Sequence, residues 1–275
     1  MGHVRIMFFC KISSFVVPFD TFRTRPIKGC RYLSELRVFE VVDSTNDVLR
    51  RWTREKSLKS GIVVQAHHQT SGRGQFGTSW QDKEGKNLLL SIFFRPEQAF
   101  EKVPWTLNMS ICLALRKFCT ETLDKEVQVK WPNDLVVNDR KIAGFLIENH
   151  FSHKWESSVI GVGLNVNQKE LPVEFRATSL AEILGHPLEL DRLRDDSLFE
   201  MDTHLQRFFQ ERASDLQTEY TRHLYRRDQW ASYQYMGRTF RGMILGVTED
   251  GTLLVRDEQG RVIQPKTKEI QYIWH

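Results

Sequence analysis

Three glycines fall within six residues in the segment Gln69-Thr70-Ser71-Gly72-Arg73-Gly74-Gln75-Phe76-Gly77-Thr78-Ser79-Trp80. Glycine gives up more backbone freedom on ordering than any other residue, and it permits turns and close approaches closed to the rest. Such a run interrupts a helix or a strand. On either side lie apolar stretches, Gly61 to Ala66 and Leu88 to Phe94, that read as buried strands. The chain must therefore fold as strand, long loop, strand, with Arg73 inside the loop and Trp80 closing it. Two readings fit the loop by itself: a wrap for an anionic ligand, or a flexible hairpin connection.

Around the loop, strands and helices follow one another. Leu36 to Val42 alternates as a strand. Asp43-Ser44-Thr45-Asn46-Asp47 then carries helix-start chemistry, with Asp43 or Ser44 as cap and Ser44 with Asp47 resembling a capping box. That helix is expected to end near Lys56. Pro104 to Leu123 places Leu107, Ile111, Leu115 and Phe118 on one stripe of a long helix. Val127 to Trp131 reads as a strand entering the polar corner Pro132-Asn133-Asp134. Leu135 to Val137 and Lys141 to Glu148 form a hairpin about Asn138-Asp139, and Trp155 to Val162 extends an antiparallel meander. A short helix starts at Thr178-Ser179-Leu180, and Asp191 to about Tyr225 is periodic as one helical region. From Gly237 to Trp274, short strands with turn signals at Glu249-Asp250-Gly251 and Glu258-Gln259-Gly260 describe a small β-barrel. The organisation expected is a poorly ordered N-terminal extension over 1–34, a main domain over 35–228 and a barrel over 229–275.

Composition removes whole classes of function. A net charge of +4 is too mild for a dedicated nucleic-acid binder. No apolar run reaches the roughly 18 residues of a membrane helix. Cys10, Cys30, Cys112 and Cys119 include no Cys-x-x-Cys pair, which suits free thiols in the reducing cytoplasm.

Four polar segments interrupt the apolar elements: Ser44-Thr45-Asn46, the glycine loop, Lys130-Trp131-Pro132-Asn133-Asp134 and Arg140-Lys141-Ile142-Ala143-Gly144. In this order they resemble the biotin–protein ligases (biotin–[acetyl-CoA-carboxylase] ligases), in the form without an N-terminal DNA-binding domain. Gly72-Arg73-Gly74 with Gly77 and Trp80 matches that family's signature loop. Its Lys-Trp-Pro-Asn-Asp and Lys-x-Ala-Gly motifs are intact at 130–134 and 141–144. The resemblance spans residues 36–275. It implies an α+β fold, a mixed, mainly antiparallel sheet flanked by helices as in class II aminoacyl-tRNA synthetases, plus a C-terminal SH3-like barrel. It also implies biotin and ATP as substrates, Mg2+ with the ATP, and a biotinyl-5′-AMP intermediate. The acceptor would be a lysine on the biotin carboxyl carrier domain of a carboxylase, with AMP and pyrophosphate released in the cytoplasm.

Roles follow by match to the family. Lys141 and Arg73 are the catalytic cations, because biotin's carboxylate and the α-phosphate are both anions and must meet. Ser44, Thr45, Asn46, Gln69, Gly72, Arg73, Gly74, Gln75, Lys141 and Gly144 take biotin. Arg73, Trp80, Asn133, Asp134, Lys141 and Asn165 take ATP or the adenylate. Trp80 would stack on adenine or cover the pocket, while Trp131 reads as core. No dedicated metal set is implied; Mg2+ would be held mainly through phosphates, with Asp134 as the protein contact. Asp134 is also the carboxylate closest in role to a base for the carrier lysine. By residue type alone, Lys141 would be a solvated hairpin lysine and Ser44 only a helix cap.

Departures from the family pattern carry their own expectations. Gln75 and Thr78 stand where many members have arginine, so the loop is less cationic, and Gln75→Arg is expected to slow release of the intermediate. The loop is expected to be mobile when empty and ordered over the adenylate. No helix-turn-helix pattern precedes the first strand, so no DNA binding is expected. Strand edges leave a homodimer open. A lipoate or octanoate ligase or transferase shares the fold and the lysine motif, but the full loop and residues 130–134 favour biotin. A non-catalytic sensor or an RNA-binding module is a further alternative, and the stacking stripe of aromatic and basic residues that RNA binding would use is not evident.

Overall fold

Strand pairing begins earlier than the hydrophobic pattern does. In the computed structural model, which describes residues 22–55, 57–96, 103–171 and 176–274, strand β1 (Phe22–Pro26) lies antiparallel on β2 (Glu35–Val42), with Phe22 opposite Phe39. Residues 22–26 therefore belong to the sheet and 27–34 connect them to β2, where the sequence led to a loose extension. The reason lies in their backbone. The N–H groups of Arg31, Tyr32 and Leu33 all donate to the buried Asp202 carboxylate, at 2.8, 2.6 and 2.8 Å. Residues 1–21 of the expected extension, with Cys10, lie outside the described residues.

Ser44 precedes helix α1 (Thr45–Glu55), and its carbonyl accepts from the Val48 N–H at 3.0 Å. Lys56, the expected helix end, lies outside the described residues. β3 (Ile62–Gln69) runs parallel to β2, and β4 (Leu88–Phe94) returns antiparallel. Pro104 opens α2 (Pro104–Leu123) where a missing N–H removes no helical bond. β5 (Gln128–Lys130), β6 (Asp134–Val137), β7 (Arg140–Phe151) and β8 (Trp155–Leu164) complete the meander. Asn138 and Asp139 both have positive φ, 47° and 61°, as a two-residue type I′ turn requires. Among the described residues the strand order is β1-β2-β3-β4-β8-β7-β6-β5, antiparallel except for β2 with β3.

One face of this sheet packs on α2, with Leu107, Ile111, Leu115 and Phe118 all buried. After the short α3 (Leu180–Leu184), helices α4 (Leu190–Gln210) and α5 (Ala213–Arg222) add to that layer. They correct the single helical region expected from Asp191. Glu211 and Arg212 leave helical geometry, and the Arg207 guanidinium ties the helices across the break through Glu211 and Glu219, at 2.7 and 2.5 Å. On the opposite face, Val48 and Leu49 of α1 cover Phe39, Val64 and Phe93. A fully buried side chain of this kind contributes about 1.5–3 kcal/mol, so the thick α2 layer carries most of the stability. The thin α1 layer leaves one end of its face uncovered.

β9 (Trp230–Tyr235), β10 (Arg238–Val247), β11 (Leu253–Asp257), β12 (Val262–Ile263) and β13 (Ile270–Tyr272) form a second, antiparallel sheet in the order β12-β11-β10-β9-β13, compatible with an SH3-like barrel. Its β10–β11 turn is socketed in the main domain. Trp131 Nε1 donates to the Gly251 carbonyl at 2.9 Å, and a Cβ on Gly251 would collide with the Trp105 ring. Among the described residues no helix is long and apolar enough to cross a membrane, and Cys30, Cys112 and Cys119 are free thiols.

Candidate active site

The uncovered end of the α1 face is a cavity of about 940 Å3, near the upper limit of the ~300–1,000 Å3 usual for small-molecule sites. Its floor is made of small residues on adjacent strands. Gly144 of β7 and Gly163 of β8 are registered opposite each other, and Gly161 is opposite Ser91 of β4. A Cβ on Gly163 would lie 2.6 Å from the Trp80 indole, and one on Gly144 would lie 3.0 Å from Lys141 Nζ. Trp80 and Lys141 thus lie flat on the sheet, with Nζ 5.5 Å from the ring centre. The Trp80 indole N–H is buried and has no acceptor among the described residues.

A regular strand would put Lys141 and Gly144 on opposite faces. A bulge prevents this. Leu135 pairs with Ala143 while Val136 pairs with Lys141, so Ile142 is the extra residue. Lys141 Nζ then meets Asp134 Oδ1 at 2.7 Å, and Lys130 Nζ lies 3.7 Å from the other oxygen of that carboxylate. Two cations about one anion leave this corner net positive. Burial pushes the Lys130 ammonium below the ordinary lysine range; Asp134 works against the shift and Lys141 adds to it. The corner follows a cis Trp131–Pro132 bond. It is pinned by the Pro132 carbonyl, which accepts from Asn108 Nδ2 at 3.1 Å and from the Tyr220 hydroxyl at 2.9 Å. Trp131 itself is core.

Beside this corner stands a connected polar wall. Gln69 Oε1 accepts from the Thr45 N–H at 2.8 Å and from Thr45 Oγ1 at 3.0 Å. Ser91 Oγ lies 2.7 Å from Thr45 Oγ1 and 2.6 Å from Asn46 Oδ1. Asn46 Nδ2 donates to Glu148 at 2.8 Å and to the Leu146 carbonyl at 3.3 Å, so this amide is used in building the wall. Asn133 and Asn165 hold the frame in a similar way. Their side-chain amides donate to the carbonyls of Phe145 and Thr178 respectively.

The glycine loop lies across the cavity, folded by its own bonds. Gly74 N–H donates to the Thr78 carbonyl at 2.7 Å and Trp80 N–H to the Gly72 carbonyl at 2.9 Å, about a 3-10 turn at Gln75–Gly77. Arg73 Nη1 is 2.8 Å from Asp47 Oδ1, and Nη2 is 2.9 Å from Glu148 Oε1. Partial burial opposes the charge on Arg73, but Glu148 and Asp47 outweigh it and raise the guanidinium above its ordinary range. The charge is matched within the protein, whereas the sequence leads one to expect it against an anion. Every expected binding residue except Gly72 lines the cavity. Gly72 serves the loop instead, since a Cβ there would come 2.7 Å from the Trp80 carbonyl oxygen.

The far wall was not expected from any motif. Tyr272 and Trp274 line it from the C-terminal unit. Trp274 lies near two guanidiniums, Arg176 at 5.0 Å and Arg226 at 4.7 Å from its ring centre. Lys130 and Glu148 were also missed. Lys130 stands in a quoted motif and was signalled by it; Glu148 ends the expected strand and carries no local signal.

The profile described as the biotin/lipoate A/B protein ligase family matches residues 38–165. Over 234 residues the chain is 31% identical to the bifunctional ligase/repressor BirA of Salmonella typhimurium, covering 83% of this chain and 71% of that protein. The chain belongs to the biotin/lipoate A/B protein ligase family. Within this ligase family it is also 29% identical to the bifunctional ligase/repressor BirA of Bacillus subtilis over 236 residues, 80% of this chain and 69% of that one. The structure of the biotin protein ligase from Aquifex aeolicus in complex with biotin and ATP matches with a TM-score of 0.73 at 26% identity, covering 86% of this chain and 99% of its own. The bulge, the glycine floor and the Lys141–Asp134 pair all lie within the residues that the family profile matches.

Proposed function

We propose that this chain joins biotin to a specific lysine of a biotin carboxyl carrier domain by way of biotinyl-5′-AMP. One arrangement carries the reading: Lys141 and Lys130 about Asp134, on a glycine floor beneath Trp80 and beside the Thr45–Gln69 wall. The names of the relatives and the Aquifex complex with biotin and ATP support it.

In the first step a carboxylate oxygen of biotin attacks the α-phosphorus of ATP. The bond from that phosphorus to the bridging oxygen breaks, and pyrophosphate leaves with the electron pair. The net positive corner is placed for the charge that builds there, with Asp134 orienting Lys141. Ser44, Thr45 and Gln69 offer neutral donors and acceptors suited to a ureido ring. The floor leaves room for a flat bicycle where side chains would intrude. Trp80 and Asn165 also line the cavity, and we assign them to the nucleotide. In the second step the unprotonated amine of the carrier lysine attacks the anhydride carbonyl, the bond from that carbon to the phosphate oxygen breaks, and AMP leaves. As the C–N bond forms the nitrogen sheds a proton, for which Asp134 is the carboxylate nearest in role; positioning supplies the rest, and the loop keeps water out.

Among the described residues no group of three or more His, Cys, Asp or Glu side chains could hold a metal ion. The site instead fits Mg2+ that arrives with ATP, held by phosphates and by one or two carboxylates. Asp134 and Asp139 are those that line the cavity. When bound, the ion neutralises charge on the triphosphate. Free thiols and the need for ATP support a cytoplasmic setting. β7 runs on past its pairing with β6 at Gly144, and that edge suits a second copy of the chain.

The test is exchange of labelled pyrophosphate into ATP by the purified chain, followed by transfer to an apo carrier domain. Exchange that requires biotin is expected. Exchange with lipoate or octanoate but not with biotin overturns the reading.

A further inference from the structure

Arg73 is the cation of the glycine loop, and two carboxylates converge on it from elements far apart in the chain. Asp47 comes from the first turn of α1, at 2.8 Å, and Glu148 from β7, at 2.9 Å. Arg50 lies 3.4 Å from each of these carboxylates, so the group holds two cations and two anions and is neutral as a set. Asn46 Nδ2, itself part of the cavity wall, fixes Glu148 from the other side at 2.8 Å. The side chains of Arg73, Asp47 and Glu148 are 35, 25 and 25% exposed, which shields them more than a freely solvated surface pair. Elsewhere in the cavity, Lys130 and Lys141 share the single carboxylate of Asp134.

We propose that Asp47 and Glu148 are positioning residues that clamp the glycine loop over the cavity by gripping Arg73, which makes Arg73 the loop's anchor rather than the counter-charge of the reacting anions. The geometry requires no ligand. Only the consequence, longer retention of an adenylate, rests on the ligase reading.

The clamp is tested by amide hydrogen exchange of residues 72–80 in the full chain. Wild type is compared with Asp47→Asn, Glu148→Gln, Arg73→Gln and the double variant Arg73→Gln/Glu148→Gln. Loss of a charge-assisted pair in a partly shielded setting is expected to speed loop exchange about 10-fold in each single variant. The double variant should exchange no faster than Arg73→Gln, because both changes remove one interaction. Unchanged exchange of the α2 amides in the same samples shows that the fold is intact. Loop exchange within about 2-fold of wild type in both Asp47→Asn and Glu148→Gln, or additive effects in the double variant, overturns the proposal. With biotin and ATP added, Glu148→Gln should also release the adenylate about 10-fold faster. Should wild type form no adenylate, the ligase reading fails, while the loop exchange still decides the clamp.

Discussion

Adding one methyl group at Gly163 tests how the glycine floor works. The new Cβ would lie 2.6 Å from Cε2 and Cζ2 of Trp80 and 2.9 Å from Cδ2, whereas carbons in ordinary contact keep about 3.5–4.0 Å. β8 has little freedom to yield, because it is paired on both sides, with Gly163 opposite Leu89 and Gly144. The indole must therefore rise by roughly 1 Å, taking the end of the loop with it. A gap of that size forfeits about a quarter to a half of each contact with the floor. Closure of the loop is then weakened by about 1–2 kcal/mol, within the range for overpacking. Because the displaced ring belongs to a loop, this cost falls on closure and not on global unfolding. Biotin-dependent pyrophosphate exchange by Gly163→Ala is expected to fall about 10-fold, with the urea midpoint almost unmoved. Gly161→Ala gives the contrast. Its Cβ would run into the Asn46 amide, which Ser91, Leu146 and Glu148 hold fast, so stability and activity should fall together. Wild-type exchange in Gly163→Ala, or a stability loss there equal to that of Gly161→Ala, would refute the reasoning.

Three other outcomes are expected. Lys141→Met should lower pyrophosphate exchange by about 10²–10³-fold yet change unfolding free energy by less than about 1 kcal/mol, since its pair with Asp134 is partly exposed; exchange kinetics and urea titration measure the two. Asp202→Ala removes the acceptor of three backbone N–H groups and should cost about 2–3 kcal/mol, with earlier proteolytic cleavage in residues 22–34. His204 is held below the usual imidazole pKa of 6.5 by burial and by Arg207. As pH falls below 6.5 the unfolded chain takes up this proton first, so the stability present above that pH is lost as pH drops toward the folded value. His204→Gln should flatten that acid limb in urea titrations across pH.

Features set by local chemistry were legible in the sequence, and features set by distant partners were not. The Asn138-Asp139 turn and the stripe of α2 follow from neighbouring residues alone. β1 was missed because Phe22-Arg23-Thr24-Arg25-Pro26 is an edge strand with most of its side chains exposed, and its anchor, Asp202, is 170 residues from Tyr32. The α4–α5 break has neither glycine nor proline to announce it. At the site Arg73, Lys141 and Asp134 could be named, but not the contacts that hold them. Glu148 lies 75 residues from Arg73, and alternation along β7 would have aimed Lys141 away from Gly144. Only the extra residue at Ile142 reverses that direction, and Ile142 has the composition of any strand residue.

The seat of the β10–β11 turn has a mechanical meaning. Gly251 is wedged against the Trp105 ring while Trp131, next to the Lys130 corner, bonds its carbonyl. The C-terminal unit is thus seated on Trp131, which adjoins the Lys130–Asp134 corner, and the same unit supplies Tyr272 and Trp274 to the far wall. Any movement of one unit away from the other must first break this seat. At the base of the glycine loop the His68 ring nitrogen and the Asp82 carboxylate meet at 2.9 Å, so the segment between them is stapled where it leaves the sheet.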